Sequence, residues 1–293
     1  MTPQGLRHEN RADMQLPSRL RRQLLALPLA AALPAALSPA HGAGTPLTLR
    51  LPDPNAYSAH GDFFIEALKL ALSKTGDGEP APVLVHAAPD LPRPRMRQML
   101  QDGLLDLMWS TTTPEREAQA LPVRFNLLKG INELRFLLVR AADLSPLRSV
   151  RTLEALRRFR AGAGTYWSDA QILRANGFIV ETATKSELLF RMLKAGRFDF
   201  IPRTREEIDA ELLQFTDQGF AELPGVALQY KQPLYFFVAR DKPQLAERLM
   251  RGLSLAAADG SFDTLFMAEP GLKTALMQLR GYTGLRLQLK ALD

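Results

Sequence analysis

The sequence predicts an α/β protein of two lobes, each a mostly parallel sheet flanked by helices, joined by two hinge strands. Three observations predict it. Residues 47–109 read strand, helix, strand, helix, strand, an order that implies parallel strands with right-handed crossovers. A second α/β series occupies residues 152–202. Two continuous apolar runs, Leu134–Arg140 (LRFLLVR) and Pro233–Arg240 (PLYFFVAR), flank that second series, and a strand buried on both faces reads this way. The economical path has the chain leave lobe 1, build lobe 2 and return, leaving a cleft between the two.

The elements follow in order. Leu47–Leu51 is a strand closed by Pro52 and Pro54. Phe64, Leu68, Ala71 and Leu72 recur at helical spacing within 60–74. Val83–His86 is the second strand, a helix follows over 95–101 until Gly103, and Leu104–Trp109 is the third strand. In the second series a helix over 152–159 precedes a strand over 160–164. A helix over 168–176 ends at Gly177, a C′ residue. Ile179–Thr182 is a strand, Ser186 is a candidate cap of a helix to Leu193, and Phe198–Pro202 is a strand. From Gln244 onward the pattern is mostly helical, with stripes at Leu245, Leu249, Leu253 and at Leu272, Leu276, Leu279. No repeat of fixed solenoid period is visible. The expected domains are a leader over 1–42, lobe 1 from 44–138 plus 237–293, and lobe 2 over 139–236.

Composition narrows the function. The chain has 293 residues, 46% hydrophobic and 23% charged, enough for about two domains. It has no cysteine, which excludes a disulfide framework, a thiolate zinc site, a cysteine nucleophile and a lipid-anchoring cysteine. Its four histidines, His8, His41, His60 and His86, do not cluster, so no histidine metal site is expected. The net charge is +6, but residues 1–42 hold five Arg and two acids, and without them it is +3 with interspersed signs. That is an ordinary solvated surface, not a nucleic-acid footprint.

Arg19, Arg21 and Arg22 precede the uncharged stretch Leu24–Leu37, and Ala40-His41-Gly42 follows with small residues at the −3 and −1 positions of a cut after Gly42. Basic, apolar, small-residue is the order of a secretory signal peptide. The alternative is a buried N-terminal helix, against which Pro28 and Pro34 argue. Met14 would start a leader of ordinary length. The expectation is a periplasmic protein, cleaved on export.

Several short motifs carry a resemblance. Asp106-Leu107-Met108-Trp109-Ser110 is followed by Thr113-Pro114-Glu115-Arg116, with Phe125 beyond; Gly164-Thr165 precedes a helix; Gly196-Arg197-Phe198-Asp199 leads into a strand. In this order and spacing they resemble the D-L…T-x-x-R, G-T and G-R-x-D segments of the family-3 periplasmic solute-binding proteins, over roughly residues 47–270. The resemblance implies the type II periplasmic binding fold, a small ligand gripped between the lobes, no chemistry and no cofactor, and a membrane permease or sensor as partner to a monomer.

The physical reading of the site is separate. Arg116 follows a strand end, where α/β clefts bind ligands, and its planar fork of donors suits a carboxylate. The competing assignment is a solvated helix residue paired with Glu115 or Glu117. Ser110, Thr111 and Thr113 belong to the same strand end. Gly164 and Thr165 sit before a helix N-terminus, which favours an anion or is a plain cap. Trp109, Trp167 and Tyr57 are candidate walls for an apolar portion of the ligand, or core packing. In the amino-acid receptors an acid soon after G-R-x-D meets the ligand amine. Here that place reads Pro202-Arg203-Thr204, with no acid before Glu206 and Glu207. The span from Asp106 to Arg116 is also about two residues short of that family's usual loop. If Arg203 faces the cleft, the ligand is a dicarboxylate or other anion met by it, or Glu206 takes the amine; the alternative is a structural Arg203 that satisfies backbone carbonyls at the strand end.

Two rivals stand beside an importer receptor. One is a sensing subunit for a membrane kinase or cyclase. The other is a dehydratase-like enzyme of the same fold, for which Glu206, Glu207 and Asp169 are the only evident acids or bases. No Ser/His/Asp order, phosphate loop or HExxH is present.

Overall fold

The computed structural model describes residues 45–54, 60–76, 78–89 and 91–292; the leader and Tyr57 fall outside the described residues. Ala43–Asp293 form one compact unit. The first part of the chain runs β1 (Thr48–Leu51), α1 (Gly61–Ser73), β2 (Val83–His86), α2 (Arg93–Gln101), β3 (Leu107–Thr111), α3 (Pro114–Gln119) and β4 (Leu121–Val123). The second runs β5 (Leu134–Arg140), α4 (Leu144–Leu147), α5 (Leu153–Leu156), β6 (Ala161–Gly164), α6 (Ser168–Ala175), β7 (Val180–Ala183), α7 (Ser186–Lys194), β8 (Phe200–Arg203), α8 (Arg205–Gln214) and β9 (Phe220–Gln229). The tail adds β10 (Leu234–Val238), α9 (Pro243–Ala258), α10 (Ser261–Ala268), α11 (Pro270–Gly281) and β11 (Leu285–Gln288).

Strand pairing explains the two apolar runs. β1 and β2 pair in parallel, β10 lies between β3 and β4, and the second lobe holds a six-stranded sheet of order β11-β9-β5-β8-β6-β7. The parallel pairs are β1–β2, β6–β7, β6–β8 and β9–β11. Every antiparallel pair involves β5 or β10, the two strands at which the chain changes lobe. Leu137 and Val139 of β5 enter the core on one face of the large sheet, and Leu134, Phe136 and Leu138 enter the core on the other. Phe236 and Val238 of β10 face the main first-lobe core, while Phe237 and Ala239 face a smaller one. Both strands are apolar at their buried positions, with the exception of Arg135 in β5.

The pairing also moves the expected boundaries. Divisions at 138/139 and 236/237 would cut β5 and β10, but all of β5 pairs within the second-lobe sheet and all of β10 within the first-lobe sheet. The crossings are therefore residues 124–133 and 230–233, held together where Tyr230 N–H donates to the Glu133 carbonyl at 3.0 Å. The tail does not stay with lobe 1 either. Leu285–Gln288 pair in parallel with Val226–Gln229, so β11 completes the second-lobe sheet.

Local deviations have local causes. β3 begins three residues late because the N–H groups of Leu104 and Leu105 still donate to the Met99 carbonyl, at 2.8 and 3.1 Å, in the turn that closes α2; the Asp106 side chain then accepts from the Arg50 backbone N–H at 2.7 Å and its Nε at 3.1 Å. The helix expected over 152–159 is only α5, since the chain must turn into β6 at Ala161. Lys185 precedes α7 and Ser186 is its first residue, without a side-chain cap. Gly177 ends α6 with φ +82°. The strand β9 was not foreseen because Pro224-Gly225 interrupts it and the register shifts there.

Candidate functional site

Between the lobes lies a cavity of about 450 Å³, in the size range of small-molecule pockets. Its first-lobe wall includes Phe64, Trp109, Thr111 and Arg116; its second-lobe wall includes Trp167, Asp169, Arg203 and Glu206. Six of the ligand-contact candidates thus meet at one cavity, Trp109, Thr111, Arg116, Trp167, Arg203 and Glu206, together with Asp169 and Glu207, the other two acids named above.

The side-chain alternation of β3 decides which of its residues reach the cavity. Trp109 and Thr111 face it, whereas Met108 and Ser110 face the opposite side, beside Phe237. Trp109 is both wall and core: it is buried, and its ring lies 5.3 Å from that of Phe64. Thr113 is buried outside the cavity. It caps α3, its hydroxyl accepting from the Arg116 N–H at 3.2 Å.

That cap starts the helix so that the Arg116 side chain folds back over β3. Its Nη1 donates to the Thr111 carbonyl at 2.6 Å and Thr111 Oγ1 at 2.7 Å, and its Nη2 donates across the cleft to the Tyr166 carbonyl at 3.2 Å. Glu117 does not pair with it, being occupied by Thr112 Oγ1 and Arg124. Arg116 has no carboxylate in ion-pair contact among the described residues. Burial, with Arg97 and Arg93 nearby, lowers its pKa to about 10. It is a cation short of an anion.

Gly164 and Thr165 open onto a separate cavity of about 210 Å³, with Trp167 between the two spaces. The Trp167 ring lies so close to Gly164 that a Cβ there would sit 2.4 Å from it. On its other side Arg203 stacks at 4.8 Å. The anion-cradling expectation for this turn meets a physical obstacle: the Thr165 N–H already donates to the Ala183 carbonyl at 2.9 Å, and the Trp167 N–H to the Gly164 carbonyl at 3.0 Å. The helix begins later, at Ser168.

Arg203 is a satisfied cation. Its Nε donates to Glu211 Oε2 at 2.9 Å, its Nη2 bonds Glu211 Oε1, and Glu207 lies 3.3 Å away. Glu207 also completes a capping box with Thr204 that starts α8. Burial pushes the Glu211 carboxyl up to about 7, against the pull of Arg203. Glu206 is different. Its Oε2 lies 2.7 Å from His60 Nε2 across the cleft, while its Oε1 is buried with no hydrogen-bond partner among the described residues. Asn132 repeats the pattern: its Nδ2 donates to the Gln232 carbonyl, and its Oδ1 is buried with no partner among the described residues.

A buried network lies behind these groups. Arg135 Nε donates to Asp169 Oδ1 at 2.9 Å, and Tyr230 Oη donates to the same oxygen at 2.6 Å. Burial opposes ionisation of Asp169, but Arg135, Tyr230 and Gln232 outweigh it and hold the carboxyl below its ordinary value. Gln232 Nε2 bonds Ser168 Oγ, which lies 2.9 Å from Thr111 Oγ1. Sequence reasoning missed His60, Asn132, Arg135 and Gln232. The one available signal was Arg135, the lone charge inside an otherwise apolar stretch of LRFLLVR. No group of three His, Cys, Asp or Glu able to hold a metal occurs among the described residues.

No protein-family model matches the chain, and no curated protein sequence does. Solved structures do. An ancestral arginine-binding protein bound to arginine is similar at 19% identity, over 75% of this chain and 97% of that one, with a TM-score of 0.54. A histidine kinase sensor domain with similarity to periplasmic binding proteins matches at 14% identity, over 77% and 96%, with a TM-score of 0.55. The substrate-binding protein of an amino acid ABC transporter matches at 13% identity, over 76% and 98%, with a TM-score of 0.52.

Proposed function

We propose that this chain, which has the two-lobe type II fold of the periplasmic binding proteins, is an exported receptor that captures a small carboxylate ligand for an ABC-type importer. The observation that carries the reading is the set of unmet bonds around the cavity. Among the described residues, Arg116 has hydrogen bonds but no anion, while Glu206 Oε1 and Asn132 Oδ1 are buried acceptors without donors. Leaving a buried polar group unpaired costs about 1–3 kcal/mol, so a ligand bringing a carboxylate to the first and N–H groups to the others stabilises the closed form. Arg203, neutralised by Glu211 and Glu207, does not ask for a second anion. The ligand is therefore amino-acid-like rather than a dicarboxylate, with the amine at Glu206.

The acids offered for an enzymatic reading are engaged otherwise. Asp169 serves Arg135 and Tyr230, Glu207 serves Thr204 and Arg203, and Glu206 shares a bond with His60. Sensing is the second reading, favoured by the likeness to a kinase sensor domain. Both readings predict capture, so the first test is native mass spectrometry of the purified protein, followed by calorimetry with amino acids and dicarboxylates. The expected outcome is one bound amine-bearing carboxylate. Binding of dicarboxylates alone would overturn the amine assignment, and turnover of the bound compound would overturn the receptor.

A further inference from the structure

The second lobe carries its charge unevenly. Residues 144–197 hold ten Arg and Lys against four Asp and Glu, a net charge of +6, while residues 43–293 as a whole carry only +3. The topology gathers much of this charge at one pole. In a parallel α/β unit the strand starts and helix C-termini lie together, and the strand ends, here Gly164 and Arg203, lie at the cleft. Arg157, Arg158 and Arg160 precede β6, Arg174 ends α6, Lys194 ends α7 and Arg197 precedes β8. All six are exposed.

Hydrogen bonds make the cluster contiguous. Arg157 Nε donates to the Asn176 carbonyl at 2.7 Å, Arg174 Nη2 to Val180 O at 3.3 Å, and Arg160 Nη2 to Gly196 O at 3.2 Å. Ile179 accepts from the Ala161 N–H at 2.9 Å, which sets it beside Arg160, and it is 62% exposed. None of the six cations is in ion-pair contact with a carboxylate among the described residues; the nearby Asp199 is taken by Arg140 and by the Arg160 backbone N–H. Arg174 and Lys194 complement helix dipoles, but Arg157, Arg158, Arg160 and Arg197 lie outside the helices.

We propose that this pole is a docking surface for anionic phospholipid headgroups. Its cations are long and exposed; Arg157, Arg160 and Arg174 bond carbonyls, and Arg158, Lys194 and Arg197 make no side-chain hydrogen bond among the described residues, an arrangement that suits a diffuse field of negative charge more than one directional partner. The exposed Ile179 beside Arg160 suits the boundary of headgroup and acyl chain. No described helix is long and apolar enough to cross a membrane, so the contact is peripheral. With this pole on a bilayer, the strand ends that line the cleft point away from it. The inference is independent of which ligand the cleft takes.

The test is cosedimentation of the leader-free protein with vesicles of phosphatidylcholine alone or mixed with phosphatidylglycerol, at low and high salt. The comparison protein is the triple variant Arg158→Glu, Lys194→Glu, Arg197→Glu, at positions whose side chains make no hydrogen bond among the described residues. Binding is expected only to phosphatidylglycerol vesicles, and both salt and the variant should weaken it by at least about tenfold. The melting temperature and ligand affinity of the variant should stay unchanged. Equal binding to both vesicles, insensitivity to salt, or wild-type binding by a folded variant would overturn the proposal. So would retention on immobilised polyglutamate without vesicle binding, which would mark an acidic protein as the partner. If the variant fails to fold, lipid composition and salt still decide.

Discussion

At the scale of single residues, the cleft is governed by which charges are already spent. Arg203 and Arg135 both line it, yet each is held by a carboxylate, Glu211 and Asp169 respectively. Removing one member of a buried pair strands the other, at about 3–5 kcal/mol. Asp169→Asn is accordingly expected to lower unfolding stability by about that much in urea titrations, because Arg135 is buried and keeps only carbonyl and amide partners. The same arithmetic explains how the sequence misleads here. Pro202-Arg203-Thr204 leaves an anion site and a structural Arg equally open, because nothing in the sequence shows that Glu211, eight residues further on, folds back onto Arg203. Six of the ligand-contact candidates do converge, since they sit at the C-terminal ends of β3 and β8 or in the segments that follow β3, β6 and β8. Ser110 does not, because the strand alternates and its neighbours take the cavity side.

Among elements, α1 and α8 touch across the cleft through one titratable contact. His60, at the start of α1, has its Nε2 on Glu206 of α8 and its Nδ1 3.3 Å from Glu269, which precedes α11. Burial works against protonation of His60, and the two carboxylates outweigh it, so its pKa is raised. A raised histidine contributes stability in full below its unfolded value of about 6.5 and loses it as pH rises through the folded value. The contact joins the lobes, so mild acid should favour closure. The radius of gyration from X-ray scattering is expected to increase on raising pH from about 6 to 8, and His60→Gln should abolish that dependence. A pH-independent radius in the parent protein would remove the contact from the closing mechanism. Legibility differs by element for a related reason. β5 and β10 announce themselves because both faces are buried. β9 hides behind Pro224-Gly225, and β11 is a four-residue edge strand that is mostly only part-buried.

Over the whole molecule, closure is held by contacts on two sides of the cavity. On one side are Arg116 to the Tyr166 carbonyl and Thr111 to Ser168; on the other is His60 to Glu206. A ligand adds to this only through bonds it gains on closing, and the largest unmet demand is that of Arg116. Calorimetric titration of an amine-bearing carboxylate into the parent protein and Arg116→Ala tests this most directly. The expected result is one site per chain, weakened by about 2–5 kcal/mol in the variant. An equal dissociation constant in the two proteins would contradict it.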